Sequence, residues 1–419
     1  MSVRMAERIW LMLRPWKAGA LVLASVLLVA TGLTLYIAGQ GSFASKLWAD
    51  AKSRNIPREL FDLALGAFQP DSDVLDLAKN QPEVIISVED YIKLRVTPER
   101  IETGQRMIEE WKTTVTGIEK KYGIPADTLV AIWGIESNFG KSMGDKNVLG
   151  SLATLSEAGY RTDYFRDELL AALEIVRDGH IDQSEMVGSW AGAMGQTQFM
   201  PSSYVAYAVD YDGDGRKDIW KSVPDSLAST ANYLKQSGWR RDVDWGYEVK
   251  LPAGFDFGKA WKRNSIPLRD WAKMGVARID GKPFSQPDEP ARFYLPSGGV
   301  GPAFLVTKNF DVIKRYNNSD SYALAVTHLA DRIDGGNDFV RAWPADALPL
   351  SRAEREELAT LIAAQGFKPG KSNGHLSQTM RLAIIKFQKK EGLLADGHPS
   401  HALLQRLRSA SSIASGQKT

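Results

Sequence analysis

The sequence predicts a mainly α-helical protein: a large helical domain interrupted by a small strand-bearing insertion, followed by a small C-terminal helical domain. Three observations predict it. Apolar residues recur near i, i+3, i+4 and i+7 from Ser45 to about Gly140 and again up to Ile333. Between about residues 245 and 302 the texture changes to Gly, Pro and short alternating runs such as YEVKLP and ARFYLP. Two further helical runs, RAEREELATLIAAQG and SQTMRLAIIKFQKKEG, stand beyond a proline-bearing stretch.

Taken in order, the first residues address a membrane. Arg4, Arg8, Arg14 and Lys17 precede a charge-free apolar run, Ala18 to Ala38, long enough to span a bilayer. Small residues in SFAS, Ser42 to Ser45, suit a signal peptidase cutting after Ala44. Residues 1–44 are therefore expected to be a signal peptide or an uncleaved signal anchor, and both leave the remainder outside that membrane. For a bacterial chain this means the periplasm or cell envelope.

Helices are expected in PRELFDLALGAF, in PERIETGQRMIEEWKTTVTGIEKKYG, and in IPADTLVAIWGIESNFG, where Pro125 and Asp127 are start signals and Gly140 a stop. RTDYFRDELLAALEIVRDG and PDSLASTANYLKQSG read the same way, the second with Asp225 or Ser226 near its start. KNFDVIKRYNNSDSYALAVTHLADRI restores the helical period after the insertion, so one domain, residues 45–336, surrounds it. Residues 337–351 are expected to be a linker, 352–408 the C-terminal domain, and 409–419 a disordered tail.

Composition excludes several functions. There is no cysteine in 419 residues, so disulfides, thiolate nucleophiles and thiolate metal sites are absent. A net charge of +2, with no basic strip interleaved with aromatics, gives nucleic acid no footing. No His-Glu-x-x-His, P-loop, Gly-x-Ser-x-Gly or dinucleotide fingerprint occurs, and His398 with His401 reads as a surface turn.

Glu136, in GIESNFGKS, falls in the last turn of a helix that reads as buried. Apolar neighbours and the carbonyl end of the helix both disfavour its charge. A carboxylic acid still protonated near neutral pH is what glycoside cleavage requires. A second stretch, GSWAGAMGQTQFMPSSYVAYAVDYDGDGRKDIW, mixes close-approach glycines (Gly188, Gly192, Gly195) with Ser189, Gln196, Thr197 and Gln198 among Trp190, Phe199, Tyr204 and Tyr207. Sugars bind through such a mixture. Tight packing through small residues is the plainer reading of Gly192 and Ala193.

Together these two stretches resemble the lytic murein transglycosylase B family, family 103 of the glycoside hydrolases, over most of residues 45–333. The resemblance implies a lysozyme-like helical catalytic core. It implies that Glu136 is the lone catalytic acid/base. It further implies that Ser189, Gln198, Tyr91, Arg161, Tyr233, Tyr316 and Asn317 line the sugar cleft. The implied reaction cleaves the β-1,4 bond between N-acetylmuramic acid and N-acetylglucosamine, leaving a 1,6-anhydro end and needing no catalytic cofactor. The implied partners are peptidoglycan glycan strands, with the machinery of wall synthesis or division as candidate protein partners, and the membrane itself if the N-terminal segment is uncleaved. Two alternatives stand beside it: a water-using muramidase, for which Asp163, Asp167 and Glu168 are the candidate second carboxylates though they read as exposed helix charges, and a non-catalytic wall-binding scaffold.

DYDGDGRKDIW carries Asp210, Asp212 and Asp214 at positions 1, 3 and 5 of an EF-hand-like loop, Arg216 at 7 for a backbone carbonyl and Asp218 at 9. That spacing suits a structural Ca²⁺, which the resembled family can carry here. Lys221 departs from the pattern at position 12, where Glu is usual. Residues 366–407 resemble a small peptidoglycan-binding domain through Thr379, Ala383, Ile384, Phe387, Gln388, Gly392, Leu393, Asp396 and Gly397, with Asn373 where Asp is more usual. Ile384 and Phe387 are expected in its core.

Overall fold

Helix α1 spans residues 43–53, followed by α2 (Arg58–Leu65), α3 (Ser72–Lys79) and α4 (Val88–Arg95). The computed structural model describes residues 43–79, 86–262, 265–345, 347–371, 374 and 376–416. The expected leader, apart from its last two residues, and Asn373 lie outside the described residues. Among those described, no helix is long and apolar enough to cross a membrane.

PERIETGQRMIEEWKTTVTGIEKKYG forms two helices, α5 (Pro98–Glu110) and α6 (Lys112–Tyr122). The Thr97 side chain accepts from Arg100 N to start α5, and Gly123, at φ 77°, ends α6. Next come α7 (Ala126–Ser137), β1 (Lys146–Asn147), α8 (Val148–Glu157), α9 (Thr162–Arg177), β2 (Val187–Gly188), α10 (Pro201–Tyr207) and α11 (Val223–Gln236). The N-cap of α11 is Ser222, whose hydroxyl accepts from Asp225 N at 3.2 Å, so Asp225 sits inside the first turn.

The insertion holds β3 (Gly246–Lys250), α12 (Phe257–Lys262), β4 (Ile266–Pro267), α13 (Leu268–Lys273), β5 (Ala277–Arg278), β6 (Pro290–Tyr294) and β7 (Phe304–Val306). The strands form one antiparallel sheet in the order β4-β6-β7-β3-β5. It runs to Val306, a little past the expected end. β7 shows why: Phe304 and Val306 face the helical core while Leu305 faces the insertion's own core, so the strand is buried on both faces and joins the two. α14 (Lys308–Tyr316) and α15 (Asp320–Ile333) then return the chain to the helical domain.

That domain has two apolar cores. One is built by α4, α6, α7, α11, α14 and α15, and the other by α1, α2, α3, α8, α9 and α10. Tyr233 and Tyr316 pack against both, which marks the seam between them.

A capping box of Ser351 and Glu354 starts α16 (Arg352–Ala364), which packs with α17 (Gln378–Lys390) and α18 (His401–Gly416). Ile384 and Phe387 are fully buried there, as expected. The expected disordered tail is helical up to Gly416, because SASSIAS offers no proline or glycine to stop α18. This unit docks on the insertion: Ile385 enters the insertion's core, Gly299 N donates to Asp396 Oδ2 at 2.8 Å, and Trp261 Nε1 donates to Asp396 O at 2.8 Å.

Candidate active site

The residues after Glu136 explain how its helix ends. Asn138, Phe139 and Gly140 all take left-handed φ values, 51°, 58° and 80°. Two consecutive non-glycine residues in that region are strained, and such strain concentrates at functional sites. The turn folds the Phe139 ring back under α7, edge-on to Trp133 at 5.6 Å. A Cβ on Gly134 would meet that ring at 2.7 Å, so Gly134 makes room for it. Buried Ser137 donates to Gln196 O at 2.5 Å and accepts from Gly140 N at 2.8 Å, tying the helix end to the loop at residues 188–199.

Glu136 is only partly exposed. Tyr322 of α15 donates its O–H to Glu136 Oε1 at 2.5 Å. Loss of water around the carboxyl dominates and pushes its pKa up to about 7, against the opposing effects of the Tyr322 hydrogen bond and the Arg95 charge. Tyr322 itself is held far above the usual tyrosine range by burial and by Glu136. Tyr322→Phe removes a hydrogen bond of about 1.5–3 kcal/mol to the charged form. It is expected to move the alkaline limb of any Glu136-dependent activity to higher pH and to lower kcat about tenfold, measured as a pH–rate profile.

The other expected site residues divide. Tyr91 feels the Glu136 charge, and so does Tyr316. Tyr316 donates to Thr197 O at 2.6 Å and lies 5.0 Å from the Tyr233 ring, whose own hydroxyl donates to Arg315 O at 2.6 Å. Exposed Asn317 follows directly as the C-cap of α14. Ser189 Oγ accepts from Ala193 N at 3.0 Å, and Gln198 Nε2 donates to Met143 O and Gly195 O at 3.0 and 2.9 Å. Gln198, at φ 54°, therefore braces its own loop and is half-buried. Arg161 is exposed at the start of α9, its guanidinium 4.3 Å from the Tyr164 ring centre, and no described contact brings it to Glu136.

Several neighbours in the long motif are structural. Gln196, Thr197, Phe199 and Tyr204 are buried, and Tyr204 donates to Lys217 O at 2.6 Å. The glycines allow approach to the protein itself. A Cβ would meet Leu152 from Gly192, the Ala193 carbonyl from Gly188 and the Ile219 carbonyl from Gly195.

The candidate second carboxylates are engaged elsewhere or face solvent. Asp167 pairs with Arg54 at 2.7 Å, and Asp163 is exposed. Glu168 departs from the exposed charge expected of it. It is buried, and it accepts from Ser202 N and Ser202 Oγ at 2.8 and 2.7 Å, capping α10.

At the acidic loop, one oxygen each of Asp210, Asp212 and Asp214 lies within 4.8 Å of the others. An ion about 2.3–2.6 Å from each oxygen needs them no more than about 5 Å apart, so these three fit Ca²⁺. Asp218 is not in this group: its Oδ1 accepts from Trp220 N and Lys221 N at 2.9 and 2.8 Å. Lys221 pairs with Glu185 at 2.8 Å. A residue not anticipated, buried Asp225, braces the loop by accepting from Tyr211 N, Asp212 N and Asp218 N.

Comparison with known proteins gives matching models for two families, "Transglycosylase SLT domain" over residues 39–331 and "Putative peptidoglycan binding domain" over residues 351–407. Membrane-bound lytic murein transglycosylase B of Escherichia coli K12 is 33% identical over 249 residues, 58% of this chain. The match spans 66% of that relative's own length. The crystal structure of SltB3 from Pseudomonas aeruginosa in complex with NAG-anhNAM-pentapeptide superposes with a TM-score of 0.83 at 45% identity, covering 88% of this chain and 99% of that one. Escherichia coli Slt35 in complex with calcium gives 0.58 at 30% identity, covering 71% and 92%.

Proposed function

We propose, from the premise that this chain belongs to the transglycosylase SLT family, that it is a lytic transglycosylase of peptidoglycan working through Glu136 alone. The observation that carries this reading is a solitary carboxyl. Among the described residues the direct partner of Glu136 is the Tyr322 hydroxyl, and of the candidate second carboxylates Asp167 is paired with Arg54, Glu168 is engaged by Ser202 and Asp163 is exposed. Inverting and retaining hydrolysis both need a second carboxylate. A transglycosylase does not, because the substrate's own C6 hydroxyl is the nucleophile, held at high effective molarity.

In the proposed reaction, protonated Glu136 gives its proton to the glycosidic oxygen between N-acetylmuramic acid and N-acetylglucosamine. The C1–O4 bond breaks and the muramic O6 bonds to C1. The O6 proton returns to Glu136, so the enzyme ends as it began and no water is consumed. Tyr233 and Tyr316 at the seam, Tyr91 of α4, Asn317 after α14 and Arg161 before α9, with Ser189 and Gln198 from the motif loop, contact the sugars in this reading. The starting state needs the acid form, so kcat/KM is expected to fall as pH rises through about 7. A rate that rises through pH 7 to a plateau would overturn the acid role. The reading is tested with purified residues 45–419 acting on peptidoglycan: soluble muropeptides are expected, and the absence of any release favours the non-catalytic scaffold.

The chain's place is the bacterial envelope, reached through residues 1–44 as signal or anchor. Its wall contact is reinforced by the C-terminal unit, and proteins of wall synthesis or division are its candidate partners. A structural Ca²⁺ at Asp210, Asp212 and Asp214, with the Arg216 carbonyl at position 7 of the loop, belongs to this reading. Millimolar Ca²⁺ should raise the melting temperature by about 2 °C or more. Mg²⁺ should do less, and Asp212→Asn with Asp214→Asn should remove the response.

A further inference from the structure

The loop joining β6 to β7, the linker and the C-terminal unit meet around a cavity of about 380 Å³. None of the residues assigned above to the sugar cleft lines it. Its sides are aliphatic: Val300 from the loop, Pro344 and Ala347 from the linker, and Leu393, Leu394 and Leu403 from the C-terminal unit. Val300 and Leu394 are 58% and 49% exposed, and exposed Val340 and Leu348 stand on the same linker. Half of the eight large hydrophobic side chains exposed among the described residues therefore lie on these three segments, which marks them as a contact surface. The sides are held in place by the fold itself. Arg341 of the linker donates to Gly299 O at 3.1 Å and to Val300 O at 3.2 Å. Asp396, buried at the floor, accepts from Gly299 N, His398 N and Gln388 Nε2 at 2.8, 2.9 and 2.8 Å, so its charge is met by three donors. Ser297 also lines the cavity, and its buried Oγ has no hydrogen-bond partner, which is costly until a ligand meets it. At the rim, exposed Arg406 uses Nε and Nη2 on a single oxygen, Glu391 Oε2, at 3.2 and 3.1 Å, which leaves Nη1 for a second acceptor.

We infer that this cavity binds the peptide stem of peptidoglycan, a short chain rich in alanine that ends in a free carboxylate, and that the insertion and the linker complete a binding site the C-terminal unit does not hold alone. The inference rests on the proposed substrate and names the part of it recognised here. Alanine methyls match the aliphatic sides, whose burial supplies the affinity. The terminal carboxylate meets Arg406 Nη1 at the open rim as a charge-assisted hydrogen bond, away from the buried Asp396. A stem N–H donates to Ser297 Oγ. A sugar is the poorer occupant, because no tyrosine, tryptophan or phenylalanine among the described residues lines the cavity to stack on its face. Because the insertion supplies one side, a stem bound here is tethered to the domain that carries Glu136, and preformed sides keep the ordering cost of binding low.

The test is calorimetric titration of residues 45–419 carrying Glu136→Gln, so that nothing turns over. Three probes are compared: a synthetic stem pentapeptide ending in D-Ala-D-Ala, the same peptide amidated at its C-terminus, and chitotetraose. The free peptide is expected to bind, and the amide about tenfold more weakly. Leu394→Asp and Ala402→Trp, both at exposed positions lining the cavity, should each weaken the free peptide at least about tenfold with the melting temperature unchanged. Arg406→Gln should abolish the distinction between free and amidated peptide. Chitotetraose should bind equally to all of these forms. Absence of peptide binding overturns the inference, as does a peptide affinity unchanged in Leu394→Asp and Ala402→Trp, or a chitotetraose affinity that falls in them. If Leu394→Asp lowers the melting temperature, Ala402→Trp, which fills the cavity without burying a charge, decides. The titration needs no activity: a chain that releases no muropeptides defeats the reaction proposed above while this measurement still decides the cavity, and a cavity that ignores the peptide leaves the role of Glu136 untouched.

Discussion

Glu136→Gln is expected to lower peptidoglycan cleavage by at least about 10³-fold while leaving the fold intact. General acid–base catalysis contributes about 10²–10⁴, and here one group donates and then accepts, so both steps fail together. The amide keeps the volume and can still meet the Tyr322 hydroxyl, so sugar binding should survive. The same variant makes a second, independent statement about stability. The folded-state pKa of Glu136 is raised to about 7 from the ordinary 4.5. Its stabilising contribution is therefore fully present below about pH 4.5 and is lost as pH rises through 7, where a charge must be buried. At pH 8, Glu136→Gln should then be the more stable protein by up to about 3 kcal/mol, from roughly 2.5 units at about 1.36 kcal/mol each. At pH 4 the two should be alike. Thermal melts at both pH values check this, and a Gln variant less stable at pH 8 would contradict the burial of the acid.

Gly195→Ala is expected to be strongly disruptive in the motif loop. Gly195 has φ 70°, and an added Cβ would stand 2.5 Å from the Ile219 carbonyl oxygen, a backbone atom that cannot swing away. Left-handed backbone costs about 1–2 kcal/mol for a residue with a side chain, and overpacking adds about 1–3. A loss of about 2–4 kcal/mol of stability follows. Activity should fall even at low temperature, because this loop supplies Gln196 O to Ser137 and Thr197 O to Tyr316. Gly213→Ala in the acidic loop makes a fair control: its φ is also positive, 81°, but nothing lies within 4 Å of the added carbon. Denaturant melts of both variants should separate the clash from the backbone strain.

What was legible in the sequence was local. The helices, the insertion, the C-terminal unit and the placing of Glu136 in the last turn of a buried helix all follow from periodicity and cap residues within one segment. Family resemblance, now matched by the transglycosylase model over residues 39–331, carried the rest of the site list. Tyr322 escaped because its hydroxyl meets a carboxyl 186 residues away, while its own segment, SDSYALAV, reads only as an apolar helix. Asp225 was seen as a helix start, and its hydrogen bonds to the acidic loop arise only once α11 folds back under that loop. Glu168 reads as one more charge on an amphipathic helix, until Ser202 of α10 is brought onto it. The glycines of the long motif were legible as close approaches but not as approaches to what. In three of them the neighbour is the protein's own backbone or Leu152.

In the proposed reaction a single carboxyl suffices because the substrate brings its own nucleophile. Mass spectrometry of the soluble products of residues 45–419 on peptidoglycan, with Glu136→Gln as control, tests it most directly. Muropeptides with 1,6-anhydro ends, about 18 Da lighter than hydrolysis products and unaltered by borohydride, are expected from the unmodified chain alone. Hydrated, reducible muramic ends would contradict it, because they require an activated water and a second catalytic group beside Glu136.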